Sequence, residues 1–372
     1  VKLYFEIESP GVCEAAAISA GQWNLPGLTI SGDILFTADI ASACTGKDIL
    51  LFAVPSVFVR STAALAAEYI PDGQIIVDVA KGIEPDTLLT MTEVIRDELC
   101  KDGSHNNIKL VALSGPTHAE EVARDLPTFI VSACEDLEAA QLVQQAFVNT
   151  CLRAYTNEDV LGVELCGALK NIMALAAGIS AGLGFGDNAL AGLITRGIAE
   201  MTRLAKMMGC QEQTCAGLAG IGDVIVTAGS VHSRNRRAGL MIGQGMAPAE
   251  AIQKVGMVVE GVNALPAAMQ LIRRYQVQMP IIEGVNAIIN EGGVEYTFTV
   301  EVAGKAMQPD FESVMERKIH AWINCIEGVM HTGQRDMIRV RISKAAYEAG
   351  FKFRHIGEVL YAKVMSEFEA VA

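Results

Sequence analysis

The chain of 372 residues has no CxxC pair, no internal repeat, no low-complexity tract and no excess of basic charge, and each absence removes a class of function. Its nine cysteines, at 13, 44, 100, 134, 151, 166, 210, 215 and 325, are scattered and odd in number. That is the usage of reduced thiols in a cytoplasmic protein, not of a disulfide framework or a metal site. Lys and Arg number 29 against 43 Asp and Glu, a net charge of -14 with a pI near 4.9, so the surface repels phosphate backbones and anionic lipid and no nucleic-acid partner is expected. The most apolar stretch, Ile172 to Gly186, falls short of the roughly 20 residues a membrane span requires, and no membrane span is expected. No secretory signal is visible. The chain opens on Val1, already inside the strand-like "VKLYF", so the natural N-terminus is expected to lie upstream.

What the sequence does contain is apolar material, 51% of residues against 19% charged, enough for more than one packed core. β-rich runs recur at "VKLYF" (1–5), "ILLFAVP" (49–55), "QIIVDVAKG" (74–82), "IKLVALSGP" (108–116) and "LPTFIVSA" (126–133). Helical candidates separate them: Ser56 to Tyr69, Pro85 to Leu99, Thr117 to Arg124 and Asp136 to Asn149. Strand and helix alternating, with near-continuous apolar strands, predict a doubly wound parallel sheet. Three of the strands end in "AVPS", "AKG" and "SGPTHAEE", and ligands of such sheets bind outside the strand C-termini.

The texture then changes. From about Asn157 long Ala, Gly, Leu and Met runs predict an almost wholly helical second domain, with Thr156 to Asp159 as the hinge. From Asp310, Phe311, Met315, Ile319, Trp322, Ile326 and Met330 recur at helical spacing. The expected division is therefore 1–156, a dinucleotide-binding sheet domain cut short at its start; 157–309, a helical substrate domain; and 310–372, a helical extension that matches nothing familiar.

Lys170 is the only charged residue between Leu165 and Gly186, in a helix apolar on most faces. Such an ammonium must be paired, ligand-facing or very costly. It either snorkels to the surface or pairs with Glu164 or Asp223, or it exchanges protons, since desolvation brings lysine into the range where it can do so. Glycines 217, 220 and 222 in "GLAGIGDVIVT" permit close approach to a ligand, with Asp223 and Thr227 just beyond. "SRNRR" (233–237) offers a hydroxyl, an amide and three guanidiniums, the last being the group whose fork best matches a phosphate.

Five stretches together resemble the NAD(P)-dependent sn-glycerol-3-phosphate dehydrogenase family: "LVALSGPTHAEEVARDLPT", "TNEDVLGVELCGALKNIMALAAGISAGLGFGDNALAGLITRGIAEM", "GLAGIGDVIVTAGSVHSRNRRAG", "VVEGV" and "PIIEGV". The resemblance implies a Rossmann domain followed by a helical domain, NAD or NADP as cofactor, and reversible reduction of dihydroxyacetone phosphate to glycerol 3-phosphate for glycerophospholipid synthesis. It implies Lys170 as proton acceptor and donor. Lys81, Gly115, Thr117, Asn171, Asp223 and Thr227 become substrate contacts, with Ser233, Arg234 and Asn235 on the phosphate. Ala119, Val258, Glu260, Pro55 and Arg234 become cofactor contacts. Lys81 beside Lys170 would favour the deprotonated amine and polarise the carbonyl, and Asp223 would orient the ammonium. In "YFEIES", at the end of the presumed second strand, Glu6 or alternatively Glu8 could accept from a ribose 2'-hydroxyl and favour NAD. A homodimer is compatible with the resemblance, and no metal is implied.

The sequence departs from the family's pattern at the front, where the Gly-rich GxGxxG-like turn that holds the cofactor pyrophosphate is not found. Two alternatives stay open. One is a dehydrogenase of the β-hydroxyacid or 6-phosphogluconate type, which shares the two-domain plan and a helix-borne lysine. The other is a degenerate, non-catalytic phosphate-binding protein.

Overall fold

The computed structural model describes residues 34–290 and four short strands outside them, Lys2–Tyr4, Thr297–Glu301, Ile326–His331 and Met337–Ile342. The first of these, β1 (Lys2–Tyr4), pairs in parallel with β2 (Leu35–Thr37) as a separate two-stranded sheet. After α1 (Ile40–Cys44) come β3 (Ile49–Phe52), α2 (Val59–Ala66), β4 (Ile75–Asp78), α3 (Met91–Leu99), β5 (Lys109–Ser114), α4 (Ala119–Val122), β6 (Thr128–Ala133), α5 (Leu137–Ala146) and β7 (Leu152–Asn157). Strands β3 to β7 form one sheet in sequence order. β4 and β5 are buried along nearly their whole length, as expected where helices cover both faces.

The sheet is not wholly parallel: β5 and β6 run antiparallel, while β3/β4, β4/β5 and β6/β7 are parallel. The reason is the connection. A parallel return needs a crossover, usually a full helix, and between β5 and β6 the chain forms only the four-residue α4. A second departure concerns α3, which starts at Met91 instead of Pro85. Leu88 takes a left-handed φ of 61°, Ile83 bridges to Thr90, and Glu93 accepts from the Thr90 amide at 2.8 Å to cap the helix. Thr156 and Asn157, expected at a hinge, lie in β7, and the Asp159 carboxylate caps the next helix by accepting from the Gly162 amide at 2.9 Å.

That helix, α6 (Val160–Gly182), is the axis of the second half. Every residue from Gly162 to Ile179 is buried, because α7 (Asp187–Met207), α8 (Glu212–Ala216), a π-helical turn (Leu218–Gly222), α9 (Asp223–Gly229), α10 (Arg234–Gly243), α11 (Pro248–Val255), α12 (Glu260–Tyr275) and α13 (Pro280–Asn290) pack around it. With 23 residues it is longer than the apolar stretch expected, and among the described residues it alone is long and apolar enough to cross a membrane; here it is the core of the helical layer. Leu165, Leu169, Ile172 and Leu175 are wholly buried, each contributing on the order of 1.5–3 kcal/mol.

The closest packing on α6 is made by glycines. A Cβ on Gly178 would lie 2.1 Å from the Arg236 carbonyl oxygen, and one on Gly239 2.1 Å from that of Leu175. Helices α6 and α10 therefore touch backbone to backbone, which brings the start of α10 beside the middle of α6.

Beyond α13 the described residues are strands, β8 (Thr297–Glu301), β9 (Ile326–His331) and β10 (Met337–Ile342), in an antiparallel sheet of order β8-β10-β9. Where a helical extension was expected after Asp310, these last two strands stand instead. Ile326 and Met330, read at helical spacing, instead lie in β9, and "MIRVRI" alternates with period two. Phe311, Met315, Ile319 and Trp322 lie outside the described residues.

Candidate active site

Lys170 sits midway along α6 and is 7% exposed. An ammonium there would be prohibitively desolvated without a counter-charge. α9 supplies it: the Lys170 Nζ donates to Asp223 Oδ1 at 2.8 Å and to Thr227 Oγ1 at 2.9 Å, and the Thr227 hydroxyl donates onward to the same carboxylate oxygen at 3.0 Å. Asp223 and Thr227 are one helical turn apart and so present both groups on one face. The partner is thus Asp223 and not Glu164.

The other oxygen of Asp223 is taken by Lys81, whose Nζ lies 2.6 Å away and also donates to the Gly115 carbonyl at 3.1 Å. Lys81 leaves the end of β4, and Gly115 follows the end of β5. Gly115 has φ 155°, and a Cβ would meet the Phe129 carbonyl oxygen at 3.0 Å, so only glycine turns the chain here without strain. The Gly115 carbonyl accepts from Thr117 Oγ1 as well, at 3.3 Å. One buried carboxylate therefore joins two lysines, one from each half of the fold.

This arrangement sets the titration. Burial is the main cause that pushes Lys170 down to about 8; Asp223 opposes it, and the neighbouring Lys81 cation reinforces it. Burial acts to raise Asp223, but the two ammonium groups outweigh it and hold the carboxyl below its usual range.

Next to Lys170, Asn171 accepts through Oδ1 from Asn235 Nδ2 at 2.9 Å, and Asn235 Oδ1 accepts from the Gly261 amide at 2.8 Å. Asn235 is buried on α10. Ser233 caps that helix, its hydroxyl accepting from the Arg236 amide at 3.2 Å, so its oxygen already has a structural task. Arg234 is exposed at the first position of α10, and Arg237 is exposed one turn on. Arg236 is half-buried, and its Nε finds no hydrogen-bond partner.

The remaining sequence candidates lie around the strand ends. Ala119 opens α4, Pro55 precedes the turn into α2, and Val258 stands half-buried before α12. Glu260 is the first residue of α12. Glu6 lies outside the described residues.

Two polar residues, Ser56 and Asp78, escaped sequence reasoning, and Glu164 has a partner other than the one weighed for it. Ser56 donates its amide and its hydroxyl to the two oxygens of Glu260. Glu164 is buried on α6, accepting from Thr90 Oγ1 at 2.7 Å and the Thr92 amide at 2.9 Å, and burial raises its pKa. Asp78, at the end of β4, is buried with neither oxygen hydrogen-bonded; burial first, then Glu164, hold it well above the ordinary carboxyl range. The one acidic letter in the apolar "IIVDVAKG" was the available signal for Asp78.

A mostly parallel sheet whose strand ends meet a helical layer at a lysine pair on one buried carboxylate is the plan of a dinucleotide-dependent dehydrogenase. Comparison narrows the class. The family model described as NAD-dependent glycerol-3-phosphate dehydrogenase N-terminus matches residues 18–140, and that of the C-terminus matches residues 159–297. A glycerol-3-phosphate dehydrogenase [NAD(P)+] of Lactobacillus delbrueckii is 64% identical over 271 residues, 73% of this chain and 80% of that protein. One from Agathobacter rectalis is 51% identical, covering 72% of this chain and 78% of that protein. The crystal structure of glycerol-3-phosphate dehydrogenase from Coxiella burnetii superposes with a TM-score of 0.70 at 32% identity, covering 78% of this chain and 87% of that one. The chain belongs to the NAD(P)-dependent glycerol-3-phosphate dehydrogenase family. A further model, described as the CO dehydrogenase/acetyl-CoA synthase complex beta subunit, matches residues 255–372, overlapping the end of the dehydrogenase match and spanning the extension that sequence reading could not place.

Proposed function

We propose that the chain reduces dihydroxyacetone phosphate to sn-glycerol 3-phosphate, reversibly, with Lys170 as the general acid and base. The observation that carries the reading is the single Asp223 carboxylate shared by Lys170 and Lys81 in a buried site. In the reducing direction the Lys170 ammonium gives a proton to the oxygen on C2, and in the oxidising direction the neutral amine takes it back. Lys81 polarises the same oxygen as a fixed cation, and Asp223 with Thr227 orients the Lys170 Nζ. Asn171 and Asn235 hold the substrate chain, and Arg234 closes on its phosphate with a bidentate fork. Gly115 and Thr117 line the substrate side at the end of β5.

A nicotinamide cofactor, when bound, supplies the hydride for C2 in reduction or accepts it in oxidation. The residues fit its reactive end: Glu260 is tied to the end of β3, and the next residue, Gly261, is tied through Asn235 to Asn171, beside Lys170. A group seated at the β3 end is thereby directed toward the catalytic lysine. Pro55, Ala119, Val258, Glu260 and Arg234 would hold it, and Glu6 would favour NAD over NADP. Delivery of glycerol 3-phosphate to glycerophospholipid synthesis, a cytoplasmic location and a homodimer complete the proposal, with 1–156 as the cofactor domain, 157–309 as the substrate domain and 310–372 as an extension.

The test is oxidation of NADH by dihydroxyacetone phosphate in wild type and Lys170→Ala. The substitution is expected to cut kcat by about 100-fold or more while NADH still binds. Near-normal kcat removes Lys170 from the chemistry, and phosphate binding without turnover in wild type returns the chain to a non-catalytic role.

A further inference from the structure

Ser56 and Glu260 are 204 residues apart, yet they make a two-pronged polar contact between the end of β3 and the helical layer. The Ser56 amide donates to Glu260 Oε1 at 3.1 Å and its hydroxyl to Oε2 at 2.6 Å, so both carboxylate oxygens are gripped by one residue. Asn263 adds a long contact to Oε2 at 3.4 Å. The amide belongs to the short turn, Ser56–Phe58, that follows β3. Ser56 is itself fixed. Gly82, which follows Lys81, lies so close that a Cβ on it would stand 2.4 Å from the Ser56 Cβ.

The other side of Glu260 is fixed just as firmly. A Cβ on Gly261 would meet the Asn171 carbonyl oxygen at 2.6 Å, and its amide is held by Asn235. The start of α12 is thus clamped between Asn171, adjoining Lys170, and Ser56 at the end of β3. A carboxylate free to rotate would sample several staggered rotamers; this one is confined to a single orientation at the strand end.

We propose that Ser56 is a positioning residue for the cofactor, presenting the Glu260 carboxylate to the dinucleotide in a preformed orientation. The inference rests on Glu260 being a cofactor contact. Ser56 touches neither substrate nor reacting atoms and acts through Glu260, so its loss is felt in cofactor binding and not in the affinity for dihydroxyacetone phosphate.

The experiment is a fluorescence titration with NADH and NADPH of wild type, Ser56→Ala, Glu260→Ala and the double variant, with thermal melts and the KM for dihydroxyacetone phosphate measured alongside. Ser56→Ala removes one hydrogen bond to a charged group and is expected to raise the Kd for the reduced cofactor about tenfold. In the Glu260→Ala background the same substitution is expected to change nothing, because the group it orients is gone. An unchanged or tighter Kd in Ser56→Ala overturns the proposal, as does equal weakening in both backgrounds. A loss that appears only as a lower melting temperature, or equally in the KM for dihydroxyacetone phosphate, assigns Ser56 a merely structural role and overturns it too. If Glu260→Ala alone leaves the Kd unchanged, the cofactor role of Glu260 fails, and the proposal with it.

Discussion

Asp223→Asn probes the shared carboxylate most directly. The substitution preserves shape but removes the only negative charge among the described residues that Lys170 and Lys81 contact. Leaving a buried charge without its partner costs about 3–5 kcal/mol if the charge stays. Lys170 has a cheaper escape. Burial has already brought it to about 8, so shedding its proton at pH 7 costs only about 1.4 kcal/mol, one unit at 1.36 kcal/mol each. The smaller figure decides the outcome: in the variant Lys170 is neutral at pH 7, and the acid needed for reduction is missing. Reduction of dihydroxyacetone phosphate at pH 7 is expected to fall by about 100-fold or more.

Stability carries a second signature of the same event. Wild-type Lys170 binds its proton less well folded, near 8, than at its ordinary 10.5, so stability falls as pH drops from 10.5 to 8 and this contribution is flat below 8. In Asp223→Asn the folded value moves lower still, and the loss continues below pH 8. The stability difference between wild type and variant should therefore widen by about 1.4 kcal/mol for each pH unit between 8 and 6. Denaturant unfolding at pH 6, 7 and 8, beside initial rates, measures both. A difference that is constant with pH, or a reduction rate close to wild type, refutes the electrostatic account.

Arg234→Lys keeps the charge but loses the fork and should raise the KM for dihydroxyacetone phosphate substantially, while Arg237→Lys does much less. Equal small effects at two ionic strengths would make "SRNRR" a solvated face. Gly239→Ala puts a methyl group 2.1 Å from the Leu175 carbonyl oxygen; circular-dichroism melts should show a loss of about 1–3 kcal/mol or more, and an unchanged melt would mean that α6 and α10 do not touch.

How much of this was legible in the sequence depended on how many physical explanations a residue admitted. β4 and β5 were plain because strands buried on both faces are written as unbroken apolar runs. β7 was missed because, at the sheet edge, only Ala154 of "LRAYTN" is buried. Strand direction has no composition at all, so the antiparallel β5/β6 pair could be seen only in the connection between them. Lys170 stood out because a lone charge in an apolar helix has few excuses. Ser56 did not, since a serine after a strand is ordinary and its partner is remote in the chain.

The same contrast separates the two ways the site is held together. Lys81, Lys170 and Asp223 converge by charge, and charge left a trace in the sequence. Asn235 reaches Asn171 in the middle of α6 because Gly178 and Gly239 let two helix backbones touch, and such glycines read only as texture in the sequence. Widening that contact by one methyl group would move the phosphate candidates away from Lys170 without altering a single polar residue. The geometry of the proposed phosphate site is thus set by residues that carry no chemistry, and Gly239→Ala should lower activity even at temperatures where the variant remains folded.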